Sequence, residues 1–133
     1  MGIGLAGDVN SFDNMPGWWS SGAESYAYHG DDGLLYSSRF RDRKMLGQGS
    51  KPYETGRGGD RHYGTGSVIG CGYDVKEECI FFTLNGEYLG QAFNNIRGRW
   101  FPAIGILTSA RVSVNFGAKP FVYPHAFDDI NTL

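Results

Sequence analysis

Cysteine is scarce in this chain. Two stand among 133 residues, Cys71 and Cys79, so at most one disulfide can form and no disulfide framework can stand in for a core. No apolar run comes near the ~20 residues that cross a bilayer as a helix, and no membrane partner is expected. The net charge is only −2, so the overall balance makes no case for nucleic acid or anionic lipid. His29, His62 and His125 are scattered, with no cysteine or glutamate at metal-ligand spacing. The sequence therefore implies no metal and no cofactor. Met1 leads straight into Gly2-Ile3-Gly4-Leu5-Ala6, without the charged and long apolar regions of a secretory leader. The expectation is a cytoplasmic or nuclear protein.

Apolar residues make up 41% of the chain and aromatics 15%, enough for one packed core and too much for wholesale disorder. The 21 glycines favour many turns over long helices. Asp32-Gly33 marks a two-residue turn between Tyr26–Tyr28 and Leu34–Tyr36, and Asn85-Gly86 marks another between Cys79–Leu84 and Tyr88–Phe93. Further strands are expected at Ile3–Ala6, Ser67–Tyr73 and Trp100–Ile106. Pro102 places the last of these at an edge, a bulge or a strand start. Val112, Val114 and Phe116 alternate with Ser113 and Asn115, which predicts a half-buried strand with Val114 in the core. About seven short strands with regular turns imply an all-β, antiparallel sandwich of two sheets. The domain is expected over residues 1–124, with a tail at 125–133.

Residues 39–66 interrupt this pattern. They hold seven basic residues, three acidic ones and seven glycines, and read as a long exposed basic insertion. Tyr53 and Tyr63 within it could stack on bases, yet positive charge on a glycine-rich loop usually just faces solvent. An acidic protein is the better-fitting partner, and nucleic acid is disfavoured.

Cys71 and Cys79 flank a turn near Lys76-Glu77. Tight pairing would set Cys79 opposite about residue 74 and Cys71 opposite about residue 82, too far apart to bond. Two free thiols are expected.

Asp31-Asp32 could hold Ca²⁺, but Ca²⁺ takes ~6 to 8 oxygens and no ordered acidic loop surrounds the pair. A glycosidase pair must flank a bond across ~5 to 9 Å, which adjacent turn residues cannot easily do. Turn formation explains both aspartates with fewer assumptions. His29 fits a hydrogen-bonded structural histidine better than a ligand contact. Trp18 is expected in the core and Trp19 on the opposite, exposed side. No nucleophile, base and orienter stand together, so no enzyme is expected.

Pro16-Gly17-Trp18, Tyr28-His29-Gly30-Asp31-Asp32-Gly33, Val68-Ile69-Gly70-Cys71, Phe82-Thr83-Leu84-Asn85-Gly86, Phe101-Pro102-Ala103-Ile104-Gly105 and Val114-Asn115-Phe116-Gly117 together resemble a SPRY domain. The flavour is that of RanBPM-type proteins, scaffold subunits of the GID/CTLH ubiquitin ligase. The resemblance spans about residues 3 to 123. It implies a bent β-sandwich of concanavalin-like jelly-roll type, here starting without the family's first strands. It also implies a non-catalytic module that binds a protein or peptide, with ubiquitin-ligase subunits or substrates as the partners. The family's ligand loops map onto Gly7–Asn10, the Tyr28–Asp32 turn and Leu107–Ala110. The contact residues so implied are Asp8, Tyr28, His29, Asp31, Asp32, Thr108 and Ser109, with Tyr28 as an amphipathic anchor. A carbohydrate-binding sandwich is the alternative, and it would need an exposed flat aromatic beside carboxamides or a metal.

Overall fold

The computed structural model describes residues 1–7, 15–17, 24–37, 50–52, 61–107 and 109–124. The strands are β1 (Gly2–Ala6), β2 (Ser25–His29), β3 (Leu34–Ser37), β4 (Ser50–Pro52), β5 (Ile69–Asp74), β6 (Cys79–Leu84), β7 (Glu87–Phe93) and β8 (Phe101–Gly105). They form two antiparallel sheets, a five-stranded one in the order β4-β3-β2-β1-β8 and a three-stranded one in the order β5-β6-β7. The all-β sandwich expected from the sequence is the observed architecture.

Alternation along the strands assigns the faces. Tyr26 and Tyr28 of β2 and Leu35 of β3 point inward, and meet Ile80, Phe82 and Leu84 of β6 in one cluster with Leu89, Phe93 and Ile96. The aromatic members meet edge-on or tilted, as their quadrupoles favour. Tyr28 lies 5.5 Å from Phe82, and Tyr26 lies 5.0 Å from Phe93 and 5.3 Å from Trp100.

The opposite face of the larger sheet is small-residue territory, and Met15-Pro16-Gly17 straps across it. A Cβ on Gly105 would come within 2.6 Å of both Met15 and Pro16. The Gly17 N–H donates to Ser25 Oγ at 2.8 Å.

Asn85 (φ 51°) and Gly86 (φ 83°) both have positive φ, the signature of a type I′ turn whose twist matches its strands. Leu84 pairs with Glu87 directly across it. Asp74 faces Cys79 and Cys71 faces Phe82, so the two thiols are kept apart by register, as reasoned from the turn. Both cysteines are free. Pro102 lies in β8, an edge strand, where a missing N–H is tolerated.

Four expectations are corrected. The β2–β3 connection is the four-residue loop Gly30–Gly33, not a two-residue turn. Residues 39–66 are not one loop, because β4 pairs with β3 through Leu35↔Lys51 and Tyr63 is buried; three residues are too short a run to leave a period. Tyr63 is therefore not a stacking platform for bases. Finally, Val112–Phe116 forms no strand, and Val114 is 49% exposed. Alternation shows that a segment suits a sheet surface; it does not supply a neighbouring strand to pair with. Val114→Asp is now expected to change stability by no more than about 0.5 kcal/mol, as for exposed sites generally. A thermal melt showing an unfolded variant would restore Val114 to the core. Trp18, Trp19, Tyr53 and the tail at 125–133 lie outside the described residues.

Candidate interaction site

Strand register decides which loops share an end of the sandwich. Gly2 pairs with both His29 and Gly105. The Gly30–Gly33 loop and the chain leaving β8 toward Ser109 therefore emerge from the same end. Ala6 pairs with Ser25 and Phe101 at the other end, and Gly7 leaves there. The Gly7–Asn10 loop thus starts at the opposite end of β1, and the three loops expected to cluster do not all leave from one rim. Asp8 and Thr108 lie outside the described residues. Ser109 is exposed.

The Gly30–Gly33 loop is tied down at both ends. Gly30 N–H donates to the Met1 carbonyl at 2.9 Å, Gly33 N–H to the His29 carbonyl at 3.1 Å, and Tyr63 N–H to the Gly30 carbonyl at 3.1 Å. Glycine is required at both ends. Gly33 has φ 70°, and a Cβ on Gly30 would meet the Tyr63 carbonyl at 2.4 Å.

The two aspartates separate into different tasks. Asp32 Oδ1 accepts the Leu34 N–H at 2.9 Å, and its Oδ2 accepts the Tyr36 hydroxyl. Both oxygens of Asp32 thereby hold the loop to β3. Asp31 is exposed at the tip and is the carboxylate presented outward. Among the described residues, no group of three or more His, Cys, Asp and Glu side chains could hold a metal ion.

Tyr28 and His29 do not reach the surface, and their expected role as contacts is corrected. Tyr28 is fully buried. Its hydroxyl donates to the Arg61 carbonyl, and its ring packs 4.9 Å from Tyr63. Burial pushes the hydroxyl pKa up to about 12, against a smaller downward pull from Arg61, so it stays a proton donor at neutral pH. The physical reason is parity: Tyr28 falls on the core face of β2 with Tyr26.

His29 lies on the other face beneath the strap. It is 2% exposed, stacks on Tyr36 at 3.9 Å, and its Nε2 lies 2.8 Å from the Pro16 carbonyl. A carbonyl can only accept, so Nε2 carries the proton. Burial lowers the His29 pKa below its ordinary 6.5, outweighing the Pro16 hydrogen bond and the pull of Asp32 and Asp31. In acid the unfolded chain then binds the proton more readily than the folded one. This contribution is complete above pH 6.5 and is lost as pH falls from there toward the lower folded pKa. The melting temperature should drop below about pH 6.5, and His29→Gln should remove that part of the drop. An identical pH profile in the variant would refute the assignment.

One neighbour of the tip was missed in the sequence. Arg61 backs the loop with its backbone, 3.0 Å from where a Cβ on Gly33 would sit, and its side chain pairs with Glu87 Oε2 at 2.8 Å. The pair is about one-third exposed, so its worth is about 0–1 kcal/mol. It ties the start of β7 to the rim. These contacts join residues 26 or more apart, so no local pattern announces them.

Two antiparallel sheets thus display a pinned loop with one outward carboxylate. The chain is a member of the SPRY domain family, whose model matches residues 1–119. It is 36% identical over 124 residues to Ran-binding protein 10 of Danio rerio and to Ran-binding protein 9 of Homo sapiens, covering 92% of this chain in each case. It is 36% identical over 129 residues to the Ran-binding proteins 9/10 homolog of Drosophila melanogaster, covering 96% of this chain. The chain spans only 18%, 15% and 12% of those relatives' own lengths.

Proposed function

We propose that this chain is a non-catalytic protein-interaction module that captures a short peptide segment of a partner at the Gly30–Gly33 rim. The observation that carries the reading is the division between the two aspartates: Asp32 fixes the loop, and Asp31 stands exposed at its tip. A loop already held in place loses little further conformational freedom on binding. Asp31 offers acceptor oxygens to basic or amide groups of the peptide. Ser109, on the chain leaving β8 from the same end, adds a hydroxyl. Thr108 keeps its place as a contact residue in this reading, and Asp8 is set aside because Gly7 leaves β1 at the opposite end. The context we favour is recruitment of a partner or substrate for ubiquitin ligation, as the likeness to RanBPM-type scaffolds implies. The relatives' names make Ran a partner to include in the search. A cytoplasmic or nuclear setting suits this role.

Affinity capture from native extract with the wild-type chain and with Asp31→Lys tests the reading. Ubiquitin-ligase subunits or substrates retained by the wild type and lost by an equally stable variant are the expected result. The same partners on both proteins would overturn the rim assignment. Glycoproteins released by free sugar would favour carbohydrate binding instead.

A further inference from the structure

The surface around β8 differs in kind from the rim. Among the described residues the outer side of β8 pairs with no strand, so alternate backbone N–H and C=O groups along it face outward. Natural edges are usually blunted by charge, a bulge or a cover. β8 carries no charged residue, and only Pro102 interrupts its donors. Its apolar side chains are uncovered: Phe101 and Ile104 are each 38% exposed and Ile106 is 40% exposed. Ile104 pairs with Ile3, and Ile3 packs on the core. Ile104 therefore lies on the core face of the sheet, beyond the reach of the smaller sheet. The exposed apolar residues continue to Leu107.

The charge on this stretch has one sign. Between Tyr88 and Pro124 there is no aspartate or glutamate, against Arg97, Arg99, Arg111 and Lys119. Arg97 is paired with Glu78 at 2.9 Å. Arg99 and Arg111 are exposed, one on each side of β8 in the chain. An exposed apolar edge flanked along the chain by cations and by no carboxylate fits one chemistry of occupant. A second copy of the chain would bring the same arginines together, which costs free energy.

We propose that the β8 edge is a second interaction site, which takes an extended acidic segment of another protein as an added antiparallel or parallel strand. The backbone of that segment completes the ladder, alternate apolar side chains cover Ile104 on the core face, and its carboxylates meet Arg99 and Arg111. This is strand addition, in which main-chain hydrogen bonds supply affinity and flanking side chains supply selectivity.

The test uses the whole 133-residue chain and a fluorescent synthetic peptide of alternating valine and threonine between glutamate pairs. Its counterpart carries lysine in place of each glutamate. The glutamate peptide is expected to bind at least about tenfold more tightly than the lysine peptide, with the gap shrinking as salt is raised. Binding should slow amide exchange in β8. Ile104→Glu should weaken binding about tenfold or more by removing an apolar contact and adding a like charge, with an unchanged melting temperature because the site is exposed. Should that variant fail to fold, Arg99→Glu carries the same expectation. Equal binding of both peptides, no binding, indifference to these substitutions, or a concentration-dependent dimer in sedimentation would each overturn the proposal. Asp31→Lys should leave this binding unchanged, so failure here and failure at the rim are separately visible.

Discussion

Replacing Tyr28 with alanine is expected to lower folding stability by roughly 3–5 kcal/mol, the range for truncating a large buried aromatic. The residue is fully buried, sits in the core with Phe82 and Tyr63, and fixes the Arg61 carbonyl through its hydroxyl. Alanine leaves a cavity, and the surroundings collapse into it only partly. Against a total of about 5–15 kcal/mol for a typical domain, that loss would populate unfolded chains measurably. Any loss of partner binding would follow from unfolding. Tyr28→Phe separates the contributions, since it keeps the ring and removes only the hydroxyl, at about 0.5–1.5 kcal/mol. Urea titration followed by tryptophan fluorescence measures both. A Tyr28→Ala protein with an unchanged midpoint and lost partner binding would return Tyr28 to the binding surface.

Gly17→Ala is the second large effect expected. Gly17 has φ 83°, and a Cβ there would sit 2.5 Å from Tyr36 Cβ and 2.7 Å from the Tyr36 carbonyl. The substitution combines a positive-φ penalty of about 1–3 kcal/mol with an overpacking cost of about 1–3 kcal/mol. Its consequences extend beyond the strap. Tyr36 stacks on His29 and donates its hydroxyl to Asp32, so displacing Tyr36 loosens the carboxylate that pins the rim loop. The variant should melt lower and exchange its Gly30–Leu34 amides faster. Wild-type melting and exchange would mean that the strap does not pack on Tyr36.

The sandwich was legible because its cues are local. Asn85-Gly86 fixes a hairpin through two positive φ values, and counting back from a turn placed Cys71 opposite Phe82 and Cys79 opposite Asp74. Pro102 narrowed its strand to an edge, a bulge or a strand start because its ring removes a ladder donor, and β8 takes the edge. The site was harder to read, since exposure depends on which face a residue takes and what covers that face. Tyr28 and His29 are adjacent and both polar-tipped, yet one enters the core and the other goes beneath Met15-Pro16-Gly17. The strap crosses from 13 residues away, which no spacing rule reveals. Val112, Val114 and Phe116 mislead in the opposite sense, because their alternation satisfies half of what a strand needs and the partner strand is the other half. Asp31 and Asp32 read as equivalent in sequence. Only the Leu34 and Tyr36 hydrogen bonds distinguish the aspartate that builds the loop from the one that faces outward.

The central claim is that the Gly30–Gly33 tip, and not the buried pair behind it, meets the partner. The most direct measurement is amide NMR of the chain titrated with a peptide from a captured partner. The largest shift changes are predicted at Asp31, at its loop neighbours and at Ser109, and they should disappear in Asp31→Lys. Changes that leave the Gly30–Gly33 loop untouched, or that persist undiminished in Asp31→Lys, would contradict the account.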